Sequence, residues 1–108
     1  MDFDEYQEKA LRTAVYPNRG KNVFYPALGL GEAGEIQNKV KKIMRDDGFE
    51  ISDERRDSLA DEIGDLLWYV AVLADELKLK LNDIAEANIK KLSSRALRGK
   101  IHGDGDKR

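Results

Sequence analysis

Apolar residues return along this chain in steps of three and four, as on helices with one packed face, and no stretch alternates as a β-strand would. Over residues 2–16, Phe3, Tyr6, Ala10 and Ala14 share a face, and Pro17 ends the run. The stretch PNRGKNVFYP, residues 17–26, reads as a loop bounded by prolines. A second helix over 27–45 carries the stripe Ala33, Ile36, Val40 and Ile43. Its first half holds Gly29, Gly31 and Gly34, each costing about 1 kcal/mol against alanine in a helix interior. That cost points to a close backbone approach or a late helix start. Asp46, Asp47 and Gly48 close this helix. A third begins at Ser52, an N-cap followed by Asp53 and Glu54, whose charges suit the positive end of the helix dipole. Along it Leu59, Ile63, Leu66, Val70, Leu73 and Leu77 form an unbroken stripe, while Leu67, Trp68 and Val72 add apolar surface on other sides. A fourth helix follows Asn82 as N-cap and carries Ile84, Ala85, Ile89, Leu92 and Ala96. The expected fold is all-α, four main helices over residues 1–98, followed by a flexible basic and glycine-containing tail, 99–108.

Length bears on how that third helix is covered. A chain of 108 residues makes one domain with a modest core, too small to enclose a helix that is apolar nearly all round. A partner subunit, a second copy of the chain, is therefore expected. Charged residues make up 37% of the chain but the net charge is only −2. That balance argues against a nucleic-acid polymer as partner, which a basic excess would announce. There is no cysteine and a single histidine, His102, so thiolate sites and histidine-based zinc or triad chemistry have almost no material. No apolar run approaches the roughly 20 residues of a membrane span, and the N-terminus lacks a signal-type segment. A soluble, cytoplasmic protein is expected.

Two acidic pairs stand out at helical spacing. Glu32 and Glu35 lie in GEAGE, and Glu62 and Asp65 in DEIGD, just before the charge-free run LLWYVAVLA. Residues three apart share a helix face, and both pairs border the apolar stripes. Carboxylates that turn into a bundle need a cation to offset desolvation and mutual repulsion. If the second and third helices pack antiparallel, the pairs converge into a nest of hard oxygen donors suited to Mg²⁺, or Mn²⁺ in its place, with substrate phosphates completing the shell. The plainer reading is a solvated acidic face. Tyr69 continues the Asp65 face, and Lys39 and Lys42 continue the Glu32–Glu35 face. They suit a metal-bound polyphosphate, although Glu35 with Lys39 is equally an ordinary surface pair. On the fourth helix Asn88, Lys91 and Arg95 follow one another at i, i+3 and i+7, with Asn88 between Ala85 and Leu92 on the packed side. Arg98, Lys100, Lys107 and Arg108, with Gly103 and Gly105, give the tail a composition able to close over phosphates, or simply to fray.

These segments carry a family resemblance. Glu32 and Glu35, 26 intervening residues, then Glu62 and Asp65 fill an E-x-x-E…E-x-x-D pattern. With ALGLGEAGE, NKVKKI, DEIGDLLWYVAVLADEL and AEANIKKLSSR around it, the chain closely resembles the MazG-like nucleotide pyrophosphohydrolases over nearly its whole length. The ending RGKIHGDGDKR is similar to that of short, single-domain members. The resemblance implies an all-α NTP pyrophosphatase fold completed by subunit association, as a homodimer or a dimer of dimers. It also implies Mg²⁺ dependence and hydrolysis of nucleoside triphosphates to the monophosphate and pyrophosphate. By the same resemblance Glu32, Glu35, Glu62 and Asp65 are the expected metal ligands; phosphoryl chemistry adds a water oriented by Glu32 or Glu35, with Glu62 and Asp65 on the metal. Tyr69, Asn88 and Lys91 match positions near phosphates and sugar, and Lys39, Lys42 and Arg95 join them as candidate substrate contacts. One departure is Gly31 directly before Glu32, where many relatives carry a further Glu. Two other classes stay open: a non-catalytic helical dimerisation or nucleotide-binding module, and a redox di-metal bundle. The latter uses Glu-x-x-His pairs, which this sequence lacks.

Overall fold

The computed structural model describes residues 1–99; Lys100, His102, Gly103, Gly105, Lys107 and Arg108, and with them the proposed tail closure, lie outside the described residues. Helix α1 spans Phe3–Leu11, α2 Phe24–Gly29, α3 Ala33–Asp46, α4 Asp53–Glu76 and α5 Leu81–Leu97, and a 3₁₀ turn over Leu30–Glu32 joins α2 to α3. There is no strand among the described residues, so the four long helices expected from periodicity are present, with one short addition.

The 24-residue α4 is the axis of the fold, and every other helical element packs against it. Its start is as read from sequence: Ser52 Oγ accepts from the Arg55 amide at 3.1 Å. Contacts run in opposite directions along the paired helices. Lys39 meets Ser58 and Glu62, whereas Gly29, ten residues earlier, meets Tyr69. The 24–46 segment therefore lies antiparallel to α4.

Three boundaries differ from the sequence expectation, one for a local reason and two because of partners distant in the chain. First, α1 ends at Leu11 instead of continuing to 16. The Trp68 indole donates to the Ala10 carbonyl at 3.1 Å and to Thr13 Oγ1 at 2.8 Å, and the chain leaves the helix through tight i+3 turns. Ala14 and Tyr16 then turn into the core. Second, α2 begins at Phe24, inside the expected loop, because Pro26 sits in its first turn, where the missing N–H costs nothing. The expected helix over 27–45 is thus two helices. Of the two explanations offered for its glycines, the late start holds for the regular helix and the close approach at Gly29, not at Gly31 or Gly34. The regular helix starts late, at Ala33, and a Cβ on Gly29 would overlap the Tyr69 ring. Third, α5 starts at Leu81, one residue before the expected cap. Its first amides are satisfied from α1: Gln7 Oε1 accepts from Leu81 at 3.1 Å and Asp4 Oδ1 from Asn82 at 3.1 Å. A cap supplied by another helix leaves no local trace.

The core also sits on a different face of α4 than the stripe predicts. Ala10, Ala71 and Leu81 form one buried cluster, and Ala14, Tyr16 and Val72 another, with Trp68 packed against both. Within the chain, stripe members Ile63 and Leu77 remain 57% and 52% exposed.

Candidate active site

Where the 3₁₀ turn crosses α4, Glu32, Asp65, Trp68 and Tyr69 line a cavity of about 320 Å³. Each member has a local cause. The 3₁₀ turn carries Glu32 towards α4 immediately before α3 begins, Asp65 and Tyr69 are one turn apart on α4, and Gly29 leaves room for the tyrosine ring. Burial, then the neighbouring Tyr25, Glu32 and Asp65, raises the Tyr69 pKa, so its hydroxyl stays protonated and can donate. Burial and the Asp65 charge likewise raise that of Tyr6.

The other two motif acids have separate surroundings. Glu62 Oε1 is 2.9 Å from the Lys39 ammonium, which also donates to Ser58 Oγ at 2.7 Å. Glu35 lines a neighbouring groove of about 190 Å³ with Lys39, Lys42 and Arg45. Among the described residues no three acidic side chains gather closely enough to hold an ion by themselves. The donor chemistry nonetheless fits Mg²⁺, which is commonly held by one or two carboxylates while substrate phosphates and water complete its octahedron. Glu32 and Asp65, oxygen donors from two segments facing one cavity, are such a pair.

The candidates on α5 are placed elsewhere. That helix packs on α1 and α4, not on α2, the 3₁₀ turn or α3, so Asn88, Lys91 and Arg95 are not brought to the carboxylate cavity within the chain. Asn88, expected on the packed side, is exposed: α5 joins the core through Leu81 at its start, and Ala85 and Leu92 to either side of Asn88 are only half-buried. Lys91 is half-buried, Arg95 is buried, and neither is a free cation.

Two participants escaped the sequence reading. Trp68 reads there as apolar filling, although its position three residues after Asp65 puts it on the cavity wall. Glu76, 8% exposed, closes the far end of α4. It accepts from the Tyr16 hydroxyl, from the Gly20 amide at 2.9 Å and from the Asn22 amide at 3.1 Å. Burial pushes its pKa up, but those three donors and the Lys78 charge outweigh it and hold the carboxyl below its ordinary value. The available signal was an acid in the last turn, just after the charge-free run of α4.

The antiparallel helical arrangement thus brings one carboxylate from each of two segments, Glu32 and Asp65, to a single cavity. A model of the MazG nucleotide pyrophosphohydrolase domain matches residues 25–98, and the chain belongs to this family. It is 48% identical to the Gene 37 protein of Mycobacterium phage L5, with all of both chains covered. It is also 35% identical to the uncharacterized protein YvdC of Bacillus subtilis (strain 168), over 74% of this chain and 84% of that one. No solved structure matches the chain significantly. No helix among the described residues is long and apolar enough to cross a membrane.

Proposed function

We propose that this protein is a Mg²⁺-dependent nucleoside triphosphate pyrophosphohydrolase, cutting NTPs or dNTPs to the monophosphate and pyrophosphate. The observation that carries the reading is the convergence of Glu32 and Asp65 on one cavity beside Tyr69, in a chain of this family. Bound Mg²⁺, or Mn²⁺ in its place, supplies positive charge that offsets the triphosphate and eases attack on phosphorus.

The chain's own residues do the rest. Glu32 and Asp65 would hold the cation, while Glu62, paired with Lys39 at 2.9 Å, and Glu35, in its own groove, would have to swing in to join them. Glu32 or Glu35 orients a water and accepts its proton as the water oxygen bonds to the α-phosphorus. The α–β bridging P–O bond breaks and pyrophosphate leaves with the electron pair. The Tyr69 hydroxyl donates to a phosphate oxygen, and Lys39 and Lys42 flank the chain of phosphates from α3.

A second copy completes the site in this reading, as a homodimer or a dimer of dimers. Ile63, Leu77 and Ile89 stay 57%, 52% and 62% exposed, and Asn88, Lys91 and Arg95 lie away from their own chain's acids. A partner's α5 would bring such residues to the nucleotide. The cytoplasm, where the triphosphate pool resides, is the expected setting.

The non-catalytic reading draws on the Lys39–Glu62 bridge, which is also what a purely structural ion-pair network would contain. A panel of NTPs and dNTPs with Mg²⁺ separates the two, with wild type run beside Glu35→Ala. Monophosphate and pyrophosphate from wild type, reduced in the variant, is the expected result. No turnover, or equal turnover in both, rejects the catalytic reading.

A further inference from the structure

Glu76 stands at the opposite end of the buried stretch of α4 from Asp65, yet a continuous set of contacts joins it to the carboxylate cavity. Its carboxylate takes three donors from the 12–23 connection: the Tyr16 hydroxyl and the Gly20 and Asn22 amides. That connection has little regular structure of its own, and two of its residues, Asn18 and Gly20, take left-handed backbone angles (φ 58° and 90°). Such conformations persist where surrounding contacts over-determine them.

Two routes lead onward. Asn22, with its backbone held by Glu76, uses its Oδ1 to accept from the Tyr25 amide at 3.2 Å and so caps α2. Its Nδ2 also donates to the Pro17 carbonyl at 2.9 Å. Meanwhile the Tyr16 ring lies flat on Tyr25, with centroids 4.5 Å apart and planes at 10°. Tyr25 leans on Tyr69 at 6.4 Å, and Tyr69 meets Trp68 edge-on at 5.2 Å. Tyr69 and Trp68 line the cavity together with Glu32 and Asp65. The same α2 that Asn22 caps presents Gly29, against which the Tyr69 ring rests.

We propose that Glu76 is a positioning residue for the carboxylate cavity. By anchoring the 12–23 connection it fixes α2 and the Tyr16–Tyr25–Tyr69 stack, and so sets where the Tyr69 ring and hydroxyl stand relative to Glu32 and Asp65. It touches neither substrate nor cation. The kinetic consequence rests on the triphosphate reading above, whereas the structural consequence does not. Glutamine at this position keeps the volume and one acceptor oxygen, but turns an NH₂ towards donors that need an acceptor.

The test compares wild type with Glu76→Gln and with Tyr16→Phe, which keeps the stack but removes one donor. Amide hydrogen exchange at Gly20 and Asn22 and the ring signals of labelled Tyr25 and Tyr69 are read by NMR on ligand-free protein. Kinetics with Mg²⁺ and the best triphosphate follow. In Glu76→Gln, exchange at both amides should rise about tenfold or more, in line with losing hydrogen bonds to a charged acceptor, and the Tyr69 signals should shift. KM should rise about tenfold while kcat stays within about twofold, the pattern of an interaction lost equally from the bound substrate and the transition state. Tyr16→Phe should move each readout in the same direction by less, and it decides the matter if Glu76→Gln does not fold. Looser amides with unmoved Tyr69 signals would overturn the proposal, leaving Glu76 a mere stabiliser, as would shifted signals with unchanged KM. If wild type turns over no triphosphate, the functional reading falls, and the Tyr69 signals alone decide the role of Glu76.

Discussion

From Trp68 to Glu76, α4 is largely enclosed, and the polar groups at the two ends of this stretch are answered. Val72 and Ala71 have no exposed surface, the indole of Trp68 donates twice, and Glu76 accepts three donors. From Asp53 to Asp65 the same helix stands open, with Asp61, Gly64 and Asp65 exposed and Ile63 more than half so. The enclosed half carries the two buried core clusters, and the open half leaves Asp65 available while Glu62 is held by Lys39. Stability and chemistry are thus separated along one helix, with Asp65, Trp68 and Tyr69 at the junction.

That separation can be broken from the open side first. Asp65→Asn should lower kcat/KM by on the order of a hundredfold, the usual scale for losing one electrostatic stabiliser of a transition state. Because Asp65 is exposed, the unfolding free energy should move by no more than about 0.5 kcal/mol. Steady-state kinetics beside a urea melt check both halves of the statement. A collapse of stability instead would mean that the open half is structural.

The junction is next. Gly29→Ala drives a methyl into the Tyr69 ring and should cost about 1–3 kcal/mol, as overpacking does. Gly34→Ala meets nothing within 4 Å and should be neutral, or stabilising by up to about 1 kcal/mol through helix propensity. Two alanines five residues apart with opposite signs, compared by denaturant midpoint, would place the close approach at one glycine.

On the enclosed side, pH is the lever. The Glu76 carboxyl is held below its ordinary 4.5, so the folded chain binds this proton more weakly than the unfolded one. Its stabilising contribution is complete above about pH 4.5 and disappears as pH falls through the lower folded-state value. The gap in melting temperature between wild type and Glu76→Gln should therefore narrow on acidification from pH 7 towards pH 3. A gap that stays constant would contradict the role assigned to this carboxylate.

The smallest effect belongs to Lys39→Met. Its ion pair with Glu62 is partly solvated, and its loss should cost about 1 kcal/mol or less by urea titration.

How far the sequence foretold this layout follows the same division. Stripe periodicity revealed four long helices, and Ser52 and the glycines marked real events, because caps and backbone room are local properties. The 3-4 spacing paired Glu32 with Glu35 and Glu62 with Asp65; one acid of each pair, Glu32 and Asp65, shares a cavity, whereas Glu35 and Glu62 take other surroundings. What stayed hidden depends on partners distant in the chain. Asp4 and Gln7 cap a helix more than seventy residues away, Trp68 ends α1 early, and Glu76 orders a connection that precedes it by over fifty residues. The exposed Asn88 was misplaced for a related reason: a stripe shows that a helix has a packed side, not how wide that side is.

Water labelled with ¹⁸O tests the central claim most directly, in a Mg²⁺ reaction with the best nucleoside triphosphate, analysed by mass spectrometry. Attack at the α-phosphorus predicts one labelled oxygen in the nucleoside monophosphate and none in pyrophosphate, with both products nearly absent from Asp65→Asn. Label in pyrophosphate, or release of diphosphate and inorganic phosphate, would contradict the account.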